Sequence, residues 1–311
     1  MLLNNIQHIY SSLPHKIIKE NQPLADLSTL GTGGKAEYFA QPQSPDELQQ
    51  LIRAIRSEDS PFELPLSVCV IGGGTNTLID DGITHGLTVS TRKMNSLKWL
   101  NDSTAEIQSG FSLPVLVRTL RERNIGGLEF AEGIPGTLGG ALTGNAGAGG
   151  KGVCEYAESV KAVDSSGNIR TLARGEFEYG YRICSLSEEE LIIVSAVMTF
   201  NSTLAYDERA GEYFRSKRGT QPLNARSAGC TFKNPEGVSA GKLLDECDCK
   251  GLSVGDAAVS DKHANFILNK GHASSADICE LMRQCAERVY ENTGVMLEPE
   301  IRRWQPVFCV Q

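Results

Sequence analysis

The residues best placed to do chemistry fall in two kinds of stretch: a compact motif around one thiol, and two runs of glycine. In "SAGCTFKNP", Ser227 to Pro235, the thiol of Cys230 follows a glycine, with the amine of Lys233 and the amide of Asn234 close behind. A thiol so placed is a small apolar filler, a metal ligand or a reacting group. No C-x-x-C pair occurs, and Cys247-Asp248-Cys249 with His263 lacks a fourth partner at a familiar spacing, so no metal is expected.

The glycine runs ask for a ligand. "VIGGGTNTLID" places Gly72, Gly73 and Gly74 directly after an apolar run, with Thr75 and Asn76 next. "GIPGTLGGALTGNAGAGG" begins at Gly133, and nine of the twenty residues from Gly133 to Gly152 are glycine, too many for helix filler. Glycine permits positive φ and lets N–H groups converge on an oxyanion with no Cβ in the way. Two such loops suit a ligand with several phosphate oxygens, such as a pyrophosphate. Neither fits the common templates. The first lacks the third glycine of the dinucleotide fingerprint, and Gly150-Lys151 is followed by Gly152 where a P-loop has Ser or Thr.

Regular elements must hold these loops. Ser44-Pro45-Asp46-Glu47 is a helix start with a cap, a first-turn proline and a potential capping box, and Leu48, Leu51, Ile52 and Ile55 follow on one face. Ser67 to Ile71 reads as a short buried strand ending in the first glycine run. A second helix from Leu113 repeats the helical spacing through Leu116, Val117 and Leu120 and stops near Asn124-Ile125-Gly126. From about Val160 the texture turns to strands, with a hairpin turning at Asp164 to Gly167 and a buried strand in "LIIVSAVMTF". Beyond about 205–210 the chain is charged and helical again. A last amphipathic helix carries Ile278, Leu281, Met282, Cys285 and Val289 as core and ends at Asn292-Thr293-Gly294. The mixed order predicts an α+β protein, not a regular βαβ array.

Composition sets the outer bounds. At 311 residues, 40% hydrophobic and 22% charged, the chain has the makings of a globular protein of two or three domains. A formal charge of −8 argues against a general nucleic-acid binder, though a local pocket can still take an anion. The opening "MLLNNIQHIYSSLPHKIIKENQ" has no basic segment before a long apolar core, so no secretory leader is expected. No apolar run approaches the ~18 residues of a membrane span. Nine cysteines without framework spacing predict reduced thiols and a cytoplasmic protein.

Several words then line up in order: "TLGTGGKAE", "VIGGGTNTLIDDG", "GIPGTLGGALTGNAGA", "YGYR", "QPLNARSAGCTFKNP", "AGKLLDE", "SDKHANFILN" and "LEPEIRRW". Together they resemble the UDP-N-acetylenolpyruvoylglucosamine reductase (UDP-N-acetylmuramate dehydrogenase) family over about residues 28 to 304. The glycine loops alone would indicate only the wider FAD-binding superfamily of vanillyl-alcohol-oxidase (PCMH) type. The short run from Tyr181 to Gln221 looks like the second type of the family, which lacks an extra substrate-covering loop. The resemblance implies an α+β fold: a two-subdomain FAD-binding unit, residues 1–91 and 92–207, followed by an α+β UDP-sugar-binding domain, residues 208–311.

It also implies which residues act. FAD would lie against Gly72 to Asn76, against Gly133, Ile134, Pro135, Gly136, Thr137, Gly139 and Gly140, and near Asn145. NADPH would reduce FAD and leave, and UDP-N-acetylglucosamine enolpyruvate would take its place in the same cavity. Arg182 would face the substrate carboxylate and the developing enolate, since its planar, always-charged fork suits a carboxylate. Glu300 would share that task by hydrogen bonding, which requires it to hold a proton. Cys230 would protonate the carbanion carbon. An unperturbed thiol titrates at about 8.5, so at neutral pH it still carries the proton it must give. A close ammonium from Lys233 would strip that proton, so Lys233 is expected to point away. Tyr181, Gln221 and Asn234 would approach the sugar nucleotide, while His263 and Asn265 would fix the fold. No further partner is implied: the expectation is a monomer that binds neither nucleic acid nor membrane.

Departures from the family pattern are visible. Cys184 stands where YR-x-Ser has serine, Gly149 replaces a bulkier residue, and Gly31-Thr32 replaces a basic-apolar pair. Gln221 stands where some members have lysine, and Cys230 where many have serine. The rival readings are a flavin-dependent sugar or alcohol oxidase of the same superfamily, and a non-catalytic sugar-nucleotide-binding module.

Overall fold

The computed structural model describes residues 18–57, 60, 62, 65–187, 189–201 and 203–310. The first seventeen residues, on which most of the expectation about a leader rests, lie outside them. Among the described residues no helix is long and apolar enough to cross a membrane.

The first region opens with strands β1 (Ile18–Pro23) and β2 (Lys35–Ala40) and helix α1 (Pro45–Arg56). Ser44 Oγ accepts from Glu47 N at 3.1 Å, while Glu47 Oε2 accepts from Gln43 N at 2.8 Å. The carboxylate thus reaches one residue beyond the capping-box position read from the sequence. Leu48, Leu51, Ile52 and Ile55 are all completely buried, as their spacing predicts. Strands β3 (Leu66–Ile71), β4 (Thr77–Leu78) and β5 (Ile83–Ser90) follow. β2 and β3 both lie parallel to β5, and β1 pairs antiparallel with β2.

The second region is an antiparallel sheet. Strands β6 (Leu97–Trp99) and β7 (Thr104–Gln108) precede helix α2 (Leu113–Glu122) and the short helix α3 (Leu138–Thr143). Two-residue strands β8 (Gly147–Ala148) and β9 (Lys151–Gly152) shape the second glycine loop. Strands β10 (Ala157–Asp164) and β11 (Ile169–Ala173) form the expected hairpin. At its turn Asp164 Oδ1 accepts from Ser166 N and Asn168 N at 2.9 and 2.8 Å. A minimal hairpin, β12 (Tyr179–Gly180) and β13 (Ile183–Cys184), leads to strand β14 (Leu191–Thr199). The sheet order is β11-β10-β14-β7-β6, and α2 buries Leu113, Leu116, Val117 and Leu120 against it.

The third region begins with helices α4 (Glu208–Gly219) and α5 (Ala240–Glu246). Strands β15 (Ser253–Val254), β16 (Ala257–Val259) and β17 (Ile267–Asn269) form a small antiparallel sheet under helix α6 (Ser275–Thr293). Gly294, at φ +72°, closes α6 in the left-handed conformation that glycine adopts without strain. Ile278, Leu281, Cys285 and Val289 are buried and Met282 packs at the edge of the same core. The chain then turns back. β18 (Arg302–Arg303) runs parallel to β4, and β19 (Phe308–Val310) runs antiparallel to β3, completing the order β1-β2-β5-β3-β19.

Asn265 fixes the arm that carries Cys230. Its Oδ1 accepts from Phe232 N at 2.9 Å, its Nδ2 donates to Phe232 O at 2.8 Å, and its own carbonyl accepts from Thr231 N at 2.8 Å. All three residues are at most 2% exposed. Removing the amide leaves a buried donor and a buried acceptor unpaired, so Asn265→Ala is expected to cost about 2–4 kcal/mol in denaturant unfolding. His263 adds a pH dependence. Burial holds its imidazole below the ordinary value, and Asn265 N donates to Nδ1 at 3.3 Å, so the fold favours the neutral ring. The unfolded chain takes up a proton first, below about pH 6.5. Stability from the neutral ring is therefore complete above that pH and declines as pH falls through the folded value. Melting scans between about pH 7 and 5 should show a shallower decline for His263→Gln than for the parent.

Candidate active site

A long cleft of about 820 Å³ runs between the two glycine loops and the third region. β3 delivers the first loop and α3 anchors the second, and they pack face to face. An added Cβ on Gly73 would lie 2.7 Å from Gly136 Cα, and one on Gly72 would lie 2.5 Å from Thr137 Oγ1. Gly74, at φ +63°, has the carbonyl of Leu27 where a Cβ would point, 1.9 Å away. Only glycine fits there.

Several donors of these loops face no acceptor among the described residues. The N–H groups of Gly73, Gly74, Thr75, Asn76, Gly136 and Thr137 find no hydrogen-bond acceptor among the described residues. The buried hydroxyls of Thr137 and Ser109, both lining the cleft, have none either. From behind, Arg92 pins the first loop: Nε donates to Gly72 O at 2.7 Å, and Nη2 donates to Gly73 O at 3.0 Å and Leu27 O at 2.6 Å. Burial pulls its pKa below the ordinary arginine value. With their carbonyls held by a cation, the glycines keep their N–H groups for an anion. A cradle of such N–H donors, half of them on glycines with no Cβ in the way, fits the pyrophosphate of a dinucleotide such as FAD. Those residues would hold it, with Ile134 and Pro135 beside them on the cleft wall.

Arg182 lines the same cleft. It occupies the second position of the two-residue turn between β12 and β13, at φ +60°, where glycine is the ordinary choice. Its Nε donates to Glu300 Oε1 at 2.5 Å, its Nη1 donates to Gly147 O at 2.9 Å, and the guanidinium lies 5.2 Å from the centre of the Tyr181 ring. Glu300 is tied on every side: Asn76 Nδ2 donates to its carbonyl at 3.0 Å, and its N–H donates to Thr231 O at 2.8 Å. Cys230, partly exposed and in no disulfide, lines the cleft together with Arg182, Glu300 and Gln221. Lys233 Nζ is engaged by Glu298 at 2.5 Å.

Other expected site residues take up protein contacts. Asn145 is buried at φ +41°, with Oδ1 accepting from Cys154 N at 3.1 Å and Nδ2 donating to Gly180 O at 2.8 Å. It thereby ties the second glycine loop to the hairpin bearing Arg182. Gly133, Asn145, Tyr181 and Asn234 are not among the residues lining the cleft. Tyr181 is 57% exposed, and its hydroxyl accepts from Asn234 N at 3.4 Å. Asn234 Oδ1 accepts from Ala240 N at 3.0 Å at the start of α5. Cys184, the departure at the serine position, is completely buried beside Cys154. Arg92, Ser109 and Arg302 also belong to the site but had no sequence signal beyond their type, except that Arg302 follows Glu300 in the last motif.

The fold and the glycine-lined cleft define an FAD-binding oxidoreductase. A family model described as "FAD binding domain" matches residues 36–173, and one described as "UDP-N-acetylenolpyruvoylglucosamine reductase, C-terminal domain" matches residues 221–304. The chain is 38% identical to the UDP-N-acetylenolpyruvoylglucosamine reductase of Chlamydia felis, covering 90% of this chain and 92% of that one. It is 37% identical to the enzyme of that name from Clostridioides difficile, over 96% and 98% of the two chains. A crystal structure of UDP-N-acetylenolpyruvylglucosamine reductase from Thermus caldophilus superposes with a TM-score of 0.75 at 30% identity, over 93% of this chain and 98% of that one. The chain belongs to the UDP-N-acetylenolpyruvoylglucosamine reductase family, and its cofactor is FAD.

The close approach of the loops makes a direct test. Gly73→Val forces the two loops apart, and we expect FAD affinity to fall by about 10- to 100-fold, read as lost absorbance near the flavin band after gel filtration. A variant that keeps its full yellow colour would show that the loops do not grip the cofactor.

Proposed function

We propose that this chain reduces UDP-N-acetylglucosamine enolpyruvate to UDP-N-acetylmuramate, a bacterial peptidoglycan precursor, with NADPH as the electron source. The observation that carries the reading is that Cys230, Arg182 and Glu300 line one glycine-lined cleft, the last two in direct contact. Bound FAD would supply the two-electron carrier that takes hydride from NADPH and passes it to the enolpyruvyl double bond. Every other task falls to the protein.

The substrate carboxylate would lie against the Arg182 guanidinium, already aimed by Glu300 and Gly147. As the carbon bearing the ether oxygen gains charge, that same cation would stabilise the enolate, being fixed before the reaction begins. Cys230 would then give its proton to the carbanion carbon. Its engaged neighbour supports this: Lys233 is bound to Glu298, which holds part of the ammonium's field away from the thiol. Gln221 lines the cleft where the sugar nucleotide would enter, and Tyr181 and Asn234 would close over it from the hairpin side. NADPH and the sugar nucleotide would use the cleft in turn.

Residues 1–91, 92–207 and 208–311 would form the three working units, the last lending its terminal strands to the first sheet. The nine cysteines, none in a disulfide, accord with a reducing cytoplasm, where we place the enzyme as a monomer. The family membership favours the reductase over an oxidase or a silent binding module.

Following NADPH oxidation with the enolpyruvyl sugar nucleotide supplied or withheld tests the reading. Oxidation only in its presence is expected; oxygen-driven turnover indifferent to the sugar would point to the oxidase. Cys230→Ala should cut substrate-dependent turnover by about 10²- to 10⁴-fold, while NADPH still bleaches the flavin. Cys230→Ser should keep measurable turnover and carry the alkaline limb of the pH profile upward, because a hydroxyl holds its proton to higher pH.

A further inference from the structure

Beside the cleft lies a small cavity of about 110 Å³ lined by Asn76, Gly144, Arg182, Lys233, Pro299, Glu300 and Arg302. Three of its lining residues are cations. Arg182 is neutralised by Glu300, and Lys233 by Glu298. Arg302 is different. Its Nη2 donates to Thr143 O at 3.2 Å and its backbone N–H to Asn76 O, and no carboxylate among the described residues comes within ion-pair distance. The ionisable group that faces it is the thiol of Cys184, which is completely buried and does not line the cavity. A guanidinium carries five donors, so one carbonyl leaves most of them unused. Arg302 also lines the long cleft, so its unused donors border both spaces.

The charge balance calls for an anion. A half-buried cation without a counter-charge is costly unless the working state supplies one. The cavity admits only a small group, and a planar fork pairs best with a planar carboxylate. The substrate class of the proposed reaction brings one such group, and brings it to Arg182. With Arg182 already bound to an ionised Glu300, an arriving carboxylate would leave the pair with excess negative charge unless Glu300 took up a proton or a second cation stood by. Among the described residues, Arg302 is the one cation of this cavity that no carboxylate occupies.

We propose that Arg302 is a substrate-binding residue, the second cationic ligand of the enolpyruvyl carboxylate, sharing it with Arg182. This rests on the reductase reading and assigns a further residue to the same site. It makes the enolpyruvyl group itself, rather than the uridine nucleotide, the feature that Arg302 discriminates.

Calorimetric titration of the FAD-loaded enzyme with two ligands tests it. One is the enolpyruvyl sugar nucleotide; the other is UDP-N-acetylglucosamine, which lacks the carboxylate. Arg302→Met should raise the Kd for the enolpyruvyl compound by about 10- to 100-fold, as expected for a lost charge-assisted pair, and leave the Kd for UDP-N-acetylglucosamine and the FAD content unchanged. Arg302→Lys, which keeps the charge but not the fork, should recover part of the loss and serves if the Met variant folds poorly. Equal weakening of both ligands, an unaltered enolpyruvyl Kd, or loss of FAD with ligand discrimination intact would each overturn the assignment. A parent enzyme that fails to bind the enolpyruvyl compound would instead overturn the reductase reading on which it rests.

Discussion

The hydrogen-bonded ion pair between Arg182 and Glu300 is the contact on which the site depends, because its two ends come from distant parts of the chain. Arg182 is presented by a hairpin of the second sheet, and Glu300 by the segment that follows the last helix. Glu300 in turn binds Asn76 of the first glycine loop and Thr231 of the arm carrying Cys230. One residue therefore sets the separation of the cofactor cradle, the cationic anchor and the thiol. The backbone of Arg182 shows how firmly this is enforced. A non-glycine residue in a left-handed turn position costs about 1–3 kcal/mol, and the rest of the structure sustains it.

The cradle illustrates a division of labour between side chains and backbone. Its contacts to an anion would come from peptide N–H groups, which carry no sequence label beyond the glycines that expose them. What keeps those groups aimed is a set of side chains on the far face: Arg92 on the carbonyls of Gly72 and Gly73, and Asn145 between the second loop and the hairpin. A polar residue in a binding motif can thus serve the ligand without touching it.

That division also explains what could be read in the sequence. The three amphipathic helices, the hairpin at Asp164 to Gly167 and the strand ending at Ile71 were legible because local periodicity and turn chemistry determine them. The glycine runs and the motifs around Cys230, Arg182 and Glu300 pointed to one site, and the fold brings them to one cleft. Arg92 was not legible, since an arginine after a strand has no distinguishing neighbour and its partners lie some twenty residues or more away. Nor were β18 and β19, whose few residues carry too little pattern to announce pairing with strands more than two hundred positions earlier. Asn145 and Asn234 were read as ligand contacts, and the structure gives both amide side chains backbone partners. Nothing in the residue types announced those backbone contacts.

The late return of the chain has a consequence for biogenesis. β3, the strand that launches the first glycine loop, gains its outer neighbour only from residues 308–310, and the loop's exit strand gains its own from residues 302 and 303. During synthesis the N-terminal region is made first and begins to fold on its own. The strands on either side of the first glycine loop, however, lack these outer neighbours until residues 302–310 have left the ribosome.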